Sequence, residues 1–131
     1  MALYLESDTF ALFKSKNLLS WIKTQELQLE SDCECPDFYP LVDNLGSEKW
    51  IFSGANGIYF VGSFNGEVFT KESSANLFEH GKNGYASQTW NNSQDGRRIQ
   101  ISWMAGGIYP EMSFNQQLSF PVNPVSYTHL R

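Results

Sequence analysis

The sequence predicts an all-β chain built from about two to three four-stranded blades of a β-propeller. Three observations carry that prediction: apolar residues recur with a period of two in short aromatic-rich runs, turn residues punctuate those runs, and the chain repeats itself.

In chain order the runs are TFALFKS (Thr9 to Ser15), KWIFS (Lys49 to Ser53), IYFVGS (Ile58 to Ser63), EVFTK (Glu67 to Lys71), YASQTW (Tyr85 to Trp90) and RIQISW (Arg98 to Trp103). Each is strand-length and rich in β-branched or aromatic side chains. Ser15 to Glu30 reads either as helix or as strand; Trp21-Ile22 followed by Thr24 favours strand. Asn65-Gly66 and Asp95-Gly96 signal hairpins, because two-residue turns of the favoured hand need positive φ, which Asn and Gly tolerate.

A shift of 48 positions lays Ala2–Lys23 over Trp50–Lys71 without a gap. Ser15 meets Ser63, Asn17 meets Asn65, Lys23 meets Lys71, and Leu3, Phe10, Leu12 and Trp21 fall on Ile51, Ile58, Phe60 and Phe69. The same shift carries Phe38-Tyr39 to Ala86-Ser87, so a third unit begins where the second ends. A period of roughly 40 to 50 residues is the length of one propeller blade. A closed propeller takes about four to eight blades. The chain is therefore expected to be an internal piece, residues 1–123, with Met1 falling inside a strand of the repeat.

Composition narrows the function classes. Among 131 residues, 41% are hydrophobic and the formal net charge is −5, which fits a folded chain and offers nothing to neutralise phosphates. Arg97 and Arg98 form the only basic pair, so neither nucleic acid nor an anionic membrane is an expected partner. No apolar run approaches the roughly 18 residues a membrane span requires. Cys33 and Cys35 are too close for a mutual disulfide and too few for a structural zinc site, so no metal and no cofactor is expected. His80, in the Gly-flanked EHGKNG stretch, reads as a solvated surface residue. Nothing in the sequence assigns a compartment.

CECPDFYPL (Cys33 to Leu41), GANGIYFVGSFNG (Gly54 to Gly66), YASQTW, GRRIQISWM (Gly96 to Met104) and MSFNQQLSFPV (Met112 to Val122) together resemble glycoside hydrolase family 32, the invertases, levanases, inulinases and fructan exohydrolases. The resemblance runs from about Ala2 to Val122. It implies a five-bladed propeller with a funnel-shaped site, followed in the full protein by a C-terminal β-sandwich, and a fructose-containing oligo- or polysaccharide as substrate.

Glu34 matches the Glu of the family's ECP motif, which implies the general acid/base of a retaining, double-displacement hydrolysis of β-fructofuranosides. In the repeat it lies just before the strand carrying Phe38 and Tyr39, at the axial end of an innermost strand. A carboxyl held there among Cys35, Pro36 and aromatic rings is expected to be poorly solvated, a setting that favours the protonated form a general acid needs. Asp37 belongs to the same block and is expected to bond local backbone. Retention needs a second carboxylate about 5 to 5.5 Å away. The resemblance implies an Asp in a WMNDPNG-type motif as nucleophile and an RDP motif for fructose hydroxyls; neither motif is present, so the chain as given is expected to be catalytically incomplete.

Tyr85 and Trp103 match family positions at or near the sugar pocket, and Tyr109 remains where members often carry an Asn-Trp-Gln-Tyr stretch. All three are expected to bind substrate, with a place in the core as the competing reading for Tyr85 and Trp103. A fructosyltransferase would share all of these residues, and a non-catalytic sugar-binding propeller would share the fold. The end of the chain departs from the family: VSYTHLR resembles translated sequencing-adapter sequence, and residues 124–131 are expected to be a non-native tail.

Overall fold

The computed structural model describes residues 1–125, so the expectation for the tail beyond Val125 lies outside the described residues. The described chain is all-β, in three antiparallel sheets. The first contains β1 (Ala2–Glu6), β2 (Thr9–Lys14) and β3 (Ile22–Gln28), in the order β1-β2-β3. The second runs β4 (Asp37–Val42), β5 (Glu48–Ser53), β6 (Ile58–Phe64), β7 (Phe69–Lys71), with β8 (Asn76–Leu77) also pairing with β6. The third places β10 (Ile99–Met104) between β9 (Gly84–Trp90) and β11 (Gln117–Leu118).

The internal repeat is visible in this order. Under the sequence shift, β1, β2 and β3 fall on β5, β6 and β7, and β4 falls on β9. Sheets one and two thus share their later strands, and β4 and β9 are equivalent first strands at the edges of their sheets. Within the stretch that read as helix or strand, Ser15 to Glu30, Ile22–Gln28 form the strand β3, paired along its length with β2, and residues 15–21 are loop. The side chains of β3 explain the choice: Leu27 turns to the core while Lys23 and Glu26 ion-pair in solvent.

The hairpin signals play out differently. Gly66 adopts φ +96°, but Asn65 works through its side chain, whose Oδ1 accepts the amides of Glu67 and Val68. Those two residues are therefore loop, and β7 starts at Phe69 rather than at Glu67. Asp95-Gly96 does not form a two-residue turn. Register pairs Trp90 with Ile99, so residues 91–98 form one longer connection, with Asp95 bonding Ser93 and Arg97 inside it.

The core lies between sheets one and two. Phe10, Leu12, Leu29, Phe52, Phe60 and Phe69 are buried together, with Tyr4, Phe38, Trp50 and Phe64 packed around them. Phe10 of β2 meets Phe52 of β5 edge-on at 5.7 Å between centroids, and Phe38 contacts Trp50, Phe52, Phe64 and Phe69. Such offset and edge-to-face pairs add about 0.5 to 1.5 kcal/mol each beyond area burial. At the rim, the Gln25 side-chain amide both donates to the Phe69 carbonyl (2.9 Å) and accepts its N–H (2.7 Å), tying β3 to β7.

Sheets two and three meet differently. Between them lies a cavity of about 580 Å³, walled by Tyr39, Ile51, Tyr59, Phe78, Gln100 and Phe120 among others. Polar contacts bridge it at one end: Asp37 accepts the Thr89 N–H at 2.7 Å, and the Arg98 guanidinium lies over the Tyr39 ring while donating to Thr89 Oγ1.

Candidate active site

Glu34 stands in the connection between β3 and β4, and its backbone is unusual. Glu34 and Cys35 adopt φ of +45° and +38°, two successive left-handed residues with side chains. Sparsely populated conformations of this kind cost on the order of 1 to 3 kcal/mol each and persist only where neighbours hold them. The neighbours here are identifiable. Asp32, 3% exposed, accepts the Cys33 amide at 2.8 Å and the Asn56 amide at 2.7 Å on Oδ1, and the Ile58 amide at 3.0 Å on Oδ2. Burial pushes its carboxyl above the ordinary aspartate range while those amides pull it back. Gly54 is required beside it, since a Cβ there would lie 2.6 Å from the Asp32 carboxyl carbon. One buried carboxylate therefore fastens the loop before β4 to the loop between β5 and β6.

The second anchor is a relay of backbone bonds across the ends of the sheets. The Ala55 N–H donates to the Cys33 carbonyl at 2.8 Å, and the Ala86 N–H donates to the Ala55 carbonyl at 2.8 Å. Loops before β4, after β5 and within β9 are joined in sequence. From β9, the Gln88 side chain donates to the Cys35 carbonyl at 3.0 Å.

Tyr85, also on β9, donates its hydroxyl to Glu34 Oε2 at 3.1 Å, with Cys33 Sγ 3.9 Å from the Tyr85 hydroxyl oxygen. Burial, then the bonds to Cys33 and Glu34, push the phenol well above its ordinary pKa, so it is a standing donor. The Cys35 thiol is pushed up, first by burial and then by the Glu34 charge, which disfavours a thiolate nucleophile there. Trp103 on β10 pairs across the ladder with Tyr85, rings 6.1 Å apart and near perpendicular, and its indole donates to Gln116. At 39% exposure it is not a core aromatic.

Glu34, Tyr85 and Trp103 are thus contiguous, whereas Tyr109 packs against Phe114, ring centroids 5.1 Å apart. One expectation needs correction and another needs extension. Glu34 is exposed, so neither Cys35 nor Pro36 buries its carboxyl. Asp37 bonds not only local backbone, at Phe38, but also the Thr89 N–H on the neighbouring sheet. Asp32 and Gln88 escaped the sequence reading. Gln88 lay inside the YASQTW block, but its partner 53 positions away could not be read from it.

With this geometry in view, the comparisons with known proteins are decisive for the family. The sequence profile described as Glycosyl hydrolases family 32 N-terminal domain matches residues 2–122, and the chain belongs to that family. It is 30% identical to a levanase of Bacillus sp. (strain L7), over 87% of this chain and 15% of that protein. It is 28% identical to a levanbiose-producing levanase of Geobacillus stearothermophilus, covering 79% of this chain and 31% of that one. Its fold is similar to that of a fructofuranosidase variant from Schwanniomyces occidentalis complexed with fructosylnystose: TM-score 0.78 at 21% identity, over 92% of this chain and 27% of the other. The chain therefore spans between about a seventh and a third of the length of these relatives.

Proposed function

We propose that this chain supplies the acid/base half of a retaining β-fructofuranosidase site on a five-bladed propeller, acting on sucrose-, levan- or inulin-type substrates. Glu34 protonates the departing glycosidic oxygen and then deprotonates the water that releases the fructosyl group, so that one carboxyl alternates between acid and base. β4 and β9 are read as innermost strands of adjacent blades, which turns the ends bearing Glu34 and Tyr85 toward the funnel.

The observation that carries the reading is the Tyr85 to Glu34 hydrogen bond, in which the phenol donates to the carboxylate. A donor fixed on Oε2 orients the carboxyl and leaves Oε1 to face the leaving group. Trp103, exposed beside Tyr85, offers an apolar wall to the sugar. The nucleophile is assigned to residues outside this chain. The two carboxylates nearest in sequence are already engaged, Asp32 by three backbone amides and Asp37 by Thr89.

The test places residues 2–122 in the corresponding segment of the Bacillus levanase and compares substrates. Glu34→Gln in that chimera is expected to slow hydrolysis of sucrose or levan about 10²- to 10⁴-fold, and hydrolysis of an aryl β-fructofuranoside with an acidic phenol much less, because only the poor leaving group needs a proton. Equal losses on both substrates would remove Glu34 from the acid/base role.

A further inference from the structure

Tyr85 and Gln88 are three residues apart on one strand, yet both reach the Glu34 loop: the first binds the Glu34 carboxylate, the second the Cys35 carbonyl. In a regular strand, residues three apart face opposite sides. The register explains the exception. Gln88 pairs with Ile101 and Tyr85 pairs with Trp103, so Ala86 and Ser87 together oppose Ser102 alone. This is a β-bulge, with Ala86 at φ +51°, and the extra residue brings Tyr85 and Gln88 onto one face.

The bulge is locked from behind. Ser87 and Ser102, 1% and 5% exposed, have their hydroxyl oxygens 2.5 Å apart, and both bond Oε1 of Glu79, Ser87 at 2.9 Å and Ser102 more closely. Glu79 is itself fitted into place. A Cβ on Gly57 would lie 2.7 Å from its Cβ, and a Cβ on Gly84 would lie 2.0 Å from its Oε2. The Phe78 N–H donates to the Gly57 carbonyl and β8 pairs with β6, so the carboxylate arrives from the second sheet to hold two strands of the third. None of these groups touches the Glu34 carboxyl, and none has a part in the proposed chemistry.

We propose that Glu79 is a positioning residue: by holding the Ser87 and Ser102 hydroxyls it fixes the bulge that turns Tyr85 and Gln88 toward the Glu34 loop. The inference rests on reading Glu34 and Tyr85 as the acid/base pair, but its test does not depend on turnover. With the 131-residue chain labelled at tyrosine ¹³Cζ, and Tyr85 assigned through Tyr85→Phe, the quantity read is how far Glu34→Gln moves the Tyr85 resonance. Tyr4, remote on β1, serves as internal reference.

In the parent chain Glu34→Gln moves Tyr85 and leaves Tyr4 in place. In a Glu79→Ala background that response is lost. In a Glu79→Gln background it is retained, because the amide Oε1 still accepts both serine hydroxyls. Ser102→Ala, a one-atom deletion, gives the same loss and answers the question should Glu79→Ala not fold. A full Glu34-dependent shift in Glu79→Ala or Ser102→Ala, accompanied only by a lower melting temperature, overturns the proposal and leaves Glu79 a stabilising residue. An unmoved Tyr85 in the parent chain overturns it too. Loss of leaving-group discrimination in the chimera, with the resonance behaving as expected, would sink the catalytic reading and leave the positioning intact.

Discussion

The two interfaces between the three sheets are built on opposite principles. Sheets one and two meet through interlocked rings, with Phe10, Phe52, Phe60 and Phe69 all 2% exposed or less. Sheets two and three meet around a cavity of about 580 Å³ and are held by directional contacts: Asp37 to Thr89, Gln88 to Cys35, Arg98 over Tyr39, and the Ala55 to Ala86 backbone bond. Apolar packing is non-directional and supplies stability. Hydrogen bonds supply less net stability but fix orientation. The difference teaches where the site has to be: Glu34 lies in the loop that leads into the second sheet and Tyr85 on the third, so their distance is set by the polar interface.

The strongest way to break this comparison is to cut the aromatic interface. Phe52 is fully buried and touches Phe10, Phe38 and Phe69. Phe52→Ala is expected to cost about 3 to 5 kcal/mol, a large part of the roughly 5 to 15 kcal/mol that typically separates folded from unfolded. Chemical denaturation followed by tyrosine and tryptophan fluorescence measures it. A loss below about 0.5 kcal/mol, within the range of a surface change, would mean that the ring cluster is not what holds the sheets.

A smaller effect is expected at the polar interface. Arg98 stacks on Tyr39 at 4.6 Å and donates to Thr89 Oγ1 at 3.0 Å, so Arg98→Leu removes a cation–π contact and a hydrogen bond while keeping apolar bulk. The expected cost is about 0.5 to 2 kcal/mol. The accompanying change should be local: faster amide hydrogen exchange along β9 and β10, with β2 and β5 unaffected. Equal acceleration in all three sheets would show that the interfaces are one cooperative unit.

This division also explains what was legible in the sequence. β2, β5, β6, β9 and β10 are strands whose aromatic and β-branched alternation is local, and they lie within a few residues of where the pattern puts them. β8 and β11 are two residues long and exist only through partners on β6 and β10, so no periodicity announces them. Glu34 and Tyr85 were found through motif blocks. Asp32, Glu79, Ser87, Gln88 and Ser102 were not, because a buried carboxylate or hydroxyl declares its role only when its distant partner is in place. Gly54, Gly57 and Gly84 were the available hint, each sitting where a side chain would collide with Asp32 or Glu79.

The smallest predicted effect concerns charge at the polar interface, where opposing causes partly cancel. Burial raises the Asp37 carboxyl above its ordinary value, while the Thr89 bonds and the Arg98 charge lower it, and the net direction is upward. Between the unfolded value and this higher folded value, the folded chain keeps a proton that the unfolded chain has released. Stability from this group is therefore fully present below the unfolded value and falls as pH rises through the folded one. That is opposite in sign to a carboxylate whose value folding depresses. Asp37→Asn removes the titration but keeps an oxygen for the Thr89 N–H. The stability of the variant relative to the parent should thus climb as pH rises across the lower carboxylate range and then level off. Denaturation midpoints of both proteins, taken at steps through that range, give the difference directly. A difference that falls with pH would mean that Arg98 and Thr89 outweigh burial, so that the polar interface stabilises the Asp37 charge.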